Sequence, residues 1–390
     1  MMNAFALVMS FLLFCALSMT SLVTLAQPQN LPLMASGAPV LEARAYLLYD
    51  FTSNQVLVNH NGTERLEPAS LTKLMTAYLT FSSIRQKSLA LDKSIVPTAT
   101  AITPQGEESR MFLEVTKPVT VAELLRGLII QSGNDAARVL AETISGSEVA
   151  FAARMNQEAQ RLGMKNTHFV NATGLPSAQH YSSANDLAIL AAAIVRDFPE
   201  HYPIYGERSY FYNNINQFNR NRLLWMDPFV DGMKTGHTDM AGFCLVSSAK
   251  RDNRRLIAVV LGTDSDSARA IESQKLLNYG FQSFETVRLF KKNQIISHLR
   301  VWKGTEKYLD ISFQQDLTVT IPRGLQPNLR ARVEILQPLM APVSADQRIG
   351  TLKLYLSDKP YLDYPLIAHR NIPLANVFSR GWDTIQLLFY

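Results

Sequence analysis

Glu67-Pro68-Ala69-Ser70-Leu71-Thr72-Lys73-Leu74-Met75 is the stretch on which the reading of this chain turns. Pro68 suits the first turn of a helix. Leu71, Leu74, Met75, Tyr78 and Leu79 then recur at three and four residues, so the spacing predicts a helix with one apolar stripe. Ser70 and Lys73, three residues apart, fall on one face about a turn from each other. A serine nucleophile needs a base beside it, and a lysine can serve only when neutral, which takes burial or a neighbouring cation. A helix N-terminus also places positive dipole where an oxyanion would form. Alone, S-x-x-K is weak, because chance supplies short patterns and the plain alternative is a surface serine beside a solvated lysine.

Two further stretches change that weighting. Gln131-Ser132-Gly133-Asn134-Asp135-Ala136-Ala137 interrupts a helix expected over about 121–131 and resuming about 135–144. Asp231-Gly232-Met233-Lys234-Thr235-Gly236-His237-Thr238-Asp239 brings an ammonium, a hydroxyl and a bare backbone into a strand. Ser132 is suited to pass a proton to a leaving amine, and Asn134 to hold a substrate amide. Lys234 offers a positive charge that would depress Lys73 and attract an anionic substrate. Gly236 would let a substrate backbone lie along the strand as an added one. S-x-x-K, S-x-N and K-T-G in this order form one set, far more specific than any member.

Outward from these motifs, apolar runs over 43–61 flank the turn-like Thr52-Ser53-Asn54 and read as a strand pair. Helical spacing covers 151–162 and 184–195. Strands are expected over 242–249 and 256–262, joined at Arg251-Asp252-Asn253, with a closing helix over 271–277. Strands at both ends of a helical middle predict one sheet built from distant pieces, with helices packed on it. A first boundary is placed near Thr286. Beyond it, Leu317, Val319, Ile321 and Leu352, Leu354, Leu356 alternate with polar residues among prolines, giving a small all-β domain without a catalytic constellation. In the last eighteen residues, 373–390, Phe378, Trp382, Ile385 and Phe389 line one face of a short helix. That helix either lies on a membrane surface or packs on the β domain. Its polar face carries only Arg380 and Asp383, not the lysines and arginines of a strong interfacial helix.

With 390 residues, 47% of them hydrophobic, the chain can bury one large core or two, which rules out general disorder. A net charge of +5 without a charge block is too weak to argue for nucleic acid. No charged side chain precedes Glu42, and residues 4–25 are almost all apolar or small. A signal peptide cleaved after Ala26 is expected, although its first residues lack Lys and Arg; an uncleaved anchor is the alternative. Cys15 would leave with the leader, so Cys244 alone rules out disulfides within the exported chain and a C-x-x-C redox site. Asn171-Ala172-Thr173 matches the glycosylation pattern, which is too frequent to count.

The three motif stretches closely resemble low-molecular-mass penicillin-binding proteins, the serine D-alanyl-D-alanine carboxypeptidases of bacterial walls. The resemblance covers about 43–287 well and the rest in outline. It implies an α/β (α+β) fold of the serine β-lactamase and penicillin-binding transpeptidase type over 27–286, a β domain over 287–372 and an amphipathic helix over 373–390. It implies an acyl-enzyme on Ser70 formed with stem peptides ending in D-Ala-D-Ala, mimicked by β-lactams, with no metal or organic cofactor. By position, the backbone N–H groups of Ser70 and His237 would make the oxyanion hole. Arg220, in Asn219-Arg220-Asn221, would meet the terminal carboxylate together with Thr235, or else make a structural ion pair. The implied location is the periplasm, at the outer face of the inner membrane. A class A β-lactamase fits less well, because no E-x-x-L-N lies between Asn134 and Lys234 and the triplet reads S-G-N. An endopeptidase acting on cross-links and a non-catalytic wall-binding module remain as alternatives.

Overall fold

β1 (Ala45–Asp50) and β2 (Gln55–His60) form the hairpin expected about residues 52–54, with Asn54 in the left-handed region at φ 59°. The computed structural model describes residues 37–389 of the chain. The expected leader 1–26, with Cys15, lies outside the described residues. After β2 come α1 (Lys73–Arg85), the two-residue β3 (Ser94–Ile95), α2 (Ala99–Ile102) and β4 (Val119–Thr120), then α3 (Val121–Arg126), α4 (Asn134–Ser145), α5 (Glu148–Leu162) and α6 (Ala184–Asp197). A hairpin of β5 (Ser209–Tyr212) and β6 (Ile215–Phe218) and the one-turn α7 (Leu223–Met226) follow, and neither was signalled by the sequence pattern. β7 (Val230–Thr238), β8 (Gly242–Arg251) and β9 (Arg254–Thr263) then return to the first hairpin, and α8 (Asp266–Ser283) closes the domain.

The resulting sheet has the order β2-β1-β9-β8-β7, so it is made from distant pieces, as expected, and β7 is one of its two edge strands. Alternate residues of each strand feed opposite cores. Leu47, Ile257, Val259 and Leu261 pack under the helical middle, whereas Leu48, Leu256, Ala258 and Val260 pack under α8. Covered on both faces, β9 reads as an unbroken apolar run instead of an alternating one. α8 is longer than the expected 271–277, because Ser265 caps it through Oγ on the Ala268 N–H. Gly280 lets it approach the sheet, since a Cβ there would sit 2.7 Å from both Leu256 and Leu48.

The boundary expected near Thr286 falls inside β10 (Phe284–Phe290), which pairs with β13 (Leu317–Pro322). Besides these, the second domain consists of β11 (Ser297–Trp302), β12 (Tyr308–Ile311), β14 (Leu329–Ile335), β15 (Leu339–Met340), β16 (Arg348–Leu356) and β17 (Lys359–Ile367) around its own core. A buried polar network fixes it to the first hairpin. Asp50 Oδ2 accepts from Arg254 Nε at 2.8 Å and Thr320 Oγ1 at 2.7 Å, while the Thr320 N–H donates to Gln55 Oε1 at 2.6 Å. A charge fully buried and satisfied this way holds one geometry.

α9 (Val377–Leu387) is the expected terminal helix. It packs on the β domain through its polar side. Asp383 accepts from the Lys303 N–H at 2.6 Å, and Arg300 reaches both Asp383 and Gln386. Phe378, Trp382 and Ile385 stay exposed, as does Phe389 just past the helix end. No described helix is long and apolar enough to cross a membrane.

Candidate active site

α1 begins only at Lys73, and Ser70 sits in the tight turn Ala69–Thr72 ahead of it, with Ala69 at φ 47°. Non-glycine residues hold such a conformation only where their surroundings impose it. The imposing neighbour is a loop that sequence reasoning passed over. Gly174 lies so close to the turn that a Cβ on it would stand 1.8 Å from the Ala69 carbonyl oxygen, and its own φ is 86°. Asn171 Oδ1 collects the N–H of Gly174 at 2.7 Å and of Thr173 at 3.2 Å. The stretch set aside as a chance glycosylation match is therefore a built turn, and Asn-x-x-Gly was its available signal.

Lys73 Nζ lies 2.8 Å from Ser70 Oγ and 2.6 Å from the Thr173 carbonyl oxygen. Its side chain is buried, and burial is the leading cause of a pKa lowered to about 7. Glu108 partly offsets this, and Arg138 and Arg220 push the same way as burial. Of the two causes the sequence offered, burial and the charge of Lys234, burial is the one that leads. Lys234 is itself held well below its ordinary range, first by burial and then by the charge of Lys73. Behind the nucleophile turn, His180 accepts the Val170 N–H on Nδ1 at 3.2 Å, so its Nε2–H donates to Thr72 Oγ1 at 2.8 Å. Burial pulls this ring down to about 4, which keeps it neutral and the contact intact at physiological pH.

The helix break falls where expected. α3 runs on through a π-helical turn, Gly127–Gln131, and Ser132 ends it in the left-handed region at φ 66°. Ser132 Oγ is buried without a hydrogen-bond partner. A buried hydroxyl without a protein partner has its hydrogen-bonding capacity left for a ligand or a water. Asn134, at the start of α4, donates from Nδ2 to Glu108 Oε2 at 2.8 Å.

On β7, Lys234 Nζ donates to the Thr235 carbonyl at 3.0 Å. Gly236 was read as room for a substrate backbone, but its first constraint is internal. A Cβ there would lie 2.9 Å from the Pro68 carbonyl oxygen and 3.3 Å from Ala69, so glycine is what lets β7 approach the nucleophile turn. The Gly236 carbonyl accepts from Arg269 Nη1 at 3.1 Å, a buried arginine of α8 that no sequence motif announced. The ring of His237 stacks on Phe243 with centroids 3.9 Å apart. Arg220 follows the β5–β6 hairpin and donates from Nε to the Gln131 carbonyl at 3.3 Å, tying it to the residue before Ser132.

Of the expected residues, Ser70, Ser132, Asn134, Arg220, Thr235, Gly236 and His237 line a single cleft of about 1020 Å³. Lys73 and Lys234 lie directly behind that lining, 1% and 2% exposed. A hydroxyl against a depressed amine, a second hydroxyl without a partner and a guanidinium in the same cleft are the parts an acyl-transfer centre on an anionic substrate would need.

Comparison with known proteins agrees with this geometry. Residues 33–265 match the family model described as D-alanyl-D-alanine carboxypeptidase, and residues 284–374 match that of the penicillin-binding protein 5 C-terminal domain. The chain is 40% identical to the D-alanyl-D-alanine carboxypeptidase DacC of Escherichia coli over 359 residues, 90% of either chain. It resembles penicillin-binding protein 5 from Haemophilus influenzae with a TM-score of 0.83 at 40% identity, covering 86% of this chain and 98% of that one. For penicillin-binding protein 6B from Escherichia coli the TM-score is 0.72 at 36% identity, covering 87% and 99%.

Proposed function

The chain belongs to the D-alanyl-D-alanine carboxypeptidase family, and from that premise we propose that it removes the terminal D-alanine from peptidoglycan stem peptides through an acyl-enzyme on Ser70. It is a serine-type hydrolase, and its penicillin-binding relatives connect it to β-lactams. The observation that carries the residue assignment is the 2.8 Å contact between Lys73 Nζ and Ser70 Oγ, made by a buried amine drawn down to about 7.

A neutral Lys73 donates one N–H to the Thr173 carbonyl and keeps its lone pair for the Ser70 proton. Ser70 Oγ attacks the carbonyl of the penultimate D-alanine, and the oxyanion is met by the backbone N–H groups of Ser70 and His237. As the peptide C–N bond breaks, the proton taken up by Lys73 returns by way of Ser132 to the departing nitrogen, and D-alanine leaves with its amine restored. Water then cleaves the ester and regenerates the Ser70 hydroxyl. Asn134 holds the acyl-side amide, and the free edge of β7 takes the substrate backbone as an added strand. Arg220 and Thr235 receive the terminal carboxylate. A planar guanidinium does this bidentately, which suits an enzyme that must require a free C-terminus.

The expected result is D-alanine release from an N-acylated peptide ending in D-Ala-D-Ala and little from its C-terminal amide. Arg220→Gln is expected to raise KM for the acid about ten-fold or more while leaving the amide unaffected. Equal rates on acid and amide, or an unchanged KM in the variant, would remove Arg220 from carboxylate recognition. Cleavage confined to cross-linked dimers would move the function to an endopeptidase.

For location, we infer work on the wall outside the cytoplasm, with α9 lying on a lipid surface. Its polar side is engaged by Arg300 and the Lys303 N–H, which leaves Phe378, Trp382, Ile385 and Phe389 outward in one group. Apolar area of that kind buries into the headgroup boundary. Full-length protein is expected to co-sediment with phosphatidylethanolamine–phosphatidylglycerol vesicles and to show a blue shift of tryptophan emission. F378D/W382D should weaken partition by roughly ten-fold or more, and equal partition by the two proteins would disprove the placement.

A further inference from the structure

We propose that Glu108 is a positioning residue for acylation, setting the orientation of the Asn134 side-chain amide through a buried ion pair with Arg138. The proposal rests on the role given above to Asn134. Asn134 and Arg138 stand one turn apart on the same face of α4, so one side chain can reach both. Glu108 does so from the loop between α2 and β4. Its Oε2 accepts from Asn134 Nδ2 at 2.8 Å and from Arg138 Nη1 at 3.0 Å, and its Oε1 accepts from Arg138 Nη2 at 2.6 Å. The side chains of Arg138 and Glu108 are 3% and 1% exposed.

A carboxylate only accepts hydrogen bonds, so Glu108 forces Asn134 to present Nδ2 to it. That fixes the amide flip and leaves Oδ1, with the second Nδ2 hydrogen, for a ligand in the cleft. Nothing else needs Glu108 to hold the start of α4 in place. The Asn134 N–H donates to the Ser109 carbonyl at 2.8 Å, and Asp135 accepts the Met111 N–H at 2.9 Å and the Leu113 N–H at 3.1 Å. Arg138 has carbonyl partners of its own, Ala101 at 2.7 Å and Thr103 at 3.3 Å. Besides accepting from the Gln105 backbone and raising the Lys73 pKa by its charge, Glu108 contributes the orientation of one amide and the counter-charge to one arginine. Burial opposes its ionisation, but the hydrogen bonds from Arg138 and Asn134 outweigh burial and hold it below the usual carboxylate range.

Glu108→Gln keeps the shape and reverses the logic. The Arg138 cation claims the one carbonyl oxygen, the new NH₂ then faces Asn134, and the Asn134 amide must turn over to accept from it. The second-order rate of labelling by a fluorescent penicillin is expected to fall about ten-fold in E108Q and less than two-fold when the same change is made in an Asn134→Ala background. Coupling of that kind marks a residue that acts through another. Because E108Q leaves a buried cation without its counter-ion, E108L/R138M is the second variant; it removes both charges and should recover thermal stability. Its labelling should stay slow despite a recovered Tm. Equal losses with and without Asn134, or labelling in E108L/R138M that recovers along with its stability, would reduce Glu108 to a structural role. If N134A itself labels at the wild-type rate, the part assigned to Asn134 fails, and this proposal with it.

Discussion

Ser70→Ala is expected to abolish covalent labelling by penicillin and to reduce D-alanine release by about 10⁴-fold or more, with the fold unchanged by circular dichroism. The lost atom is the one that Lys73 Nζ contacts at 2.8 Å, and alanine adds nothing the turn Ala69–Thr72 cannot accommodate. The remaining cleft keeps Arg220, Thr235 and the backbone donors, so reversible substrate binding should persist while the chemistry stops. This separates an acyl-enzyme from a ligand-capturing module, which would bind equally well with or without the hydroxyl. Labelling that survived in Ser70→Ala would point to another nucleophile in the same cleft. Ser132, whose buried Oγ has no partner, would be the residue to substitute next.

The parts of this centre were legible in the sequence in proportion to how local their chemistry is. Ser70 and Lys73 share a helical turn, Ser132 and Asn134 share a helix break, and Lys234 to His237 share a strand, so each pair or run carried its own spacing signal. The sheet was equally legible, because Leu256–Leu261 and its partner strands are apolar runs long enough to declare themselves. Residues acting from a distance left no such trace. Thr173 and Gly174 reach the nucleophile turn from about 100 positions away in the chain. Glu108 lies in an irregular loop, and its partner Arg138 sits on a helix whose charged residues would ordinarily face water. Arg269 lay outside the helix expected over 271–277 and in no motif, yet it is buried against Gly236. Burial and the charge of Lys234 were both offered as causes of a lowered Lys73 pKa, and that burial leads could not be read for the same reason. A charge in a motif is visible in sequence, whereas the loss of solvent around an amine exists only after folding.

The second large effect concerns that amine. Lys73 must be neutral to take the serine proton, so the acylation rate should follow its unprotonated fraction. With a pKa of about 7, the rate is expected to fall ten-fold per pH unit below that value and to level off above it. An ordinary lysine would still be losing rate at pH 9. Lys73→Met should cost about 10³- to 10⁴-fold and remove the acid limb, since the group that titrates is gone. The groups around Lys73 also give the profile a sign test. Glu108 raises its pKa, so E108Q should move the limb to lower pH; Arg220 lowers it, so R220Q should move the limb to higher pH. Single-turnover acylation between pH 5 and 9 reads all four proteins. A flat wild-type profile, or limbs that shift together in E108Q and R220Q, would take the base role away from Lys73, and labelling by Lys73→Met within ten-fold of wild type would do so directly.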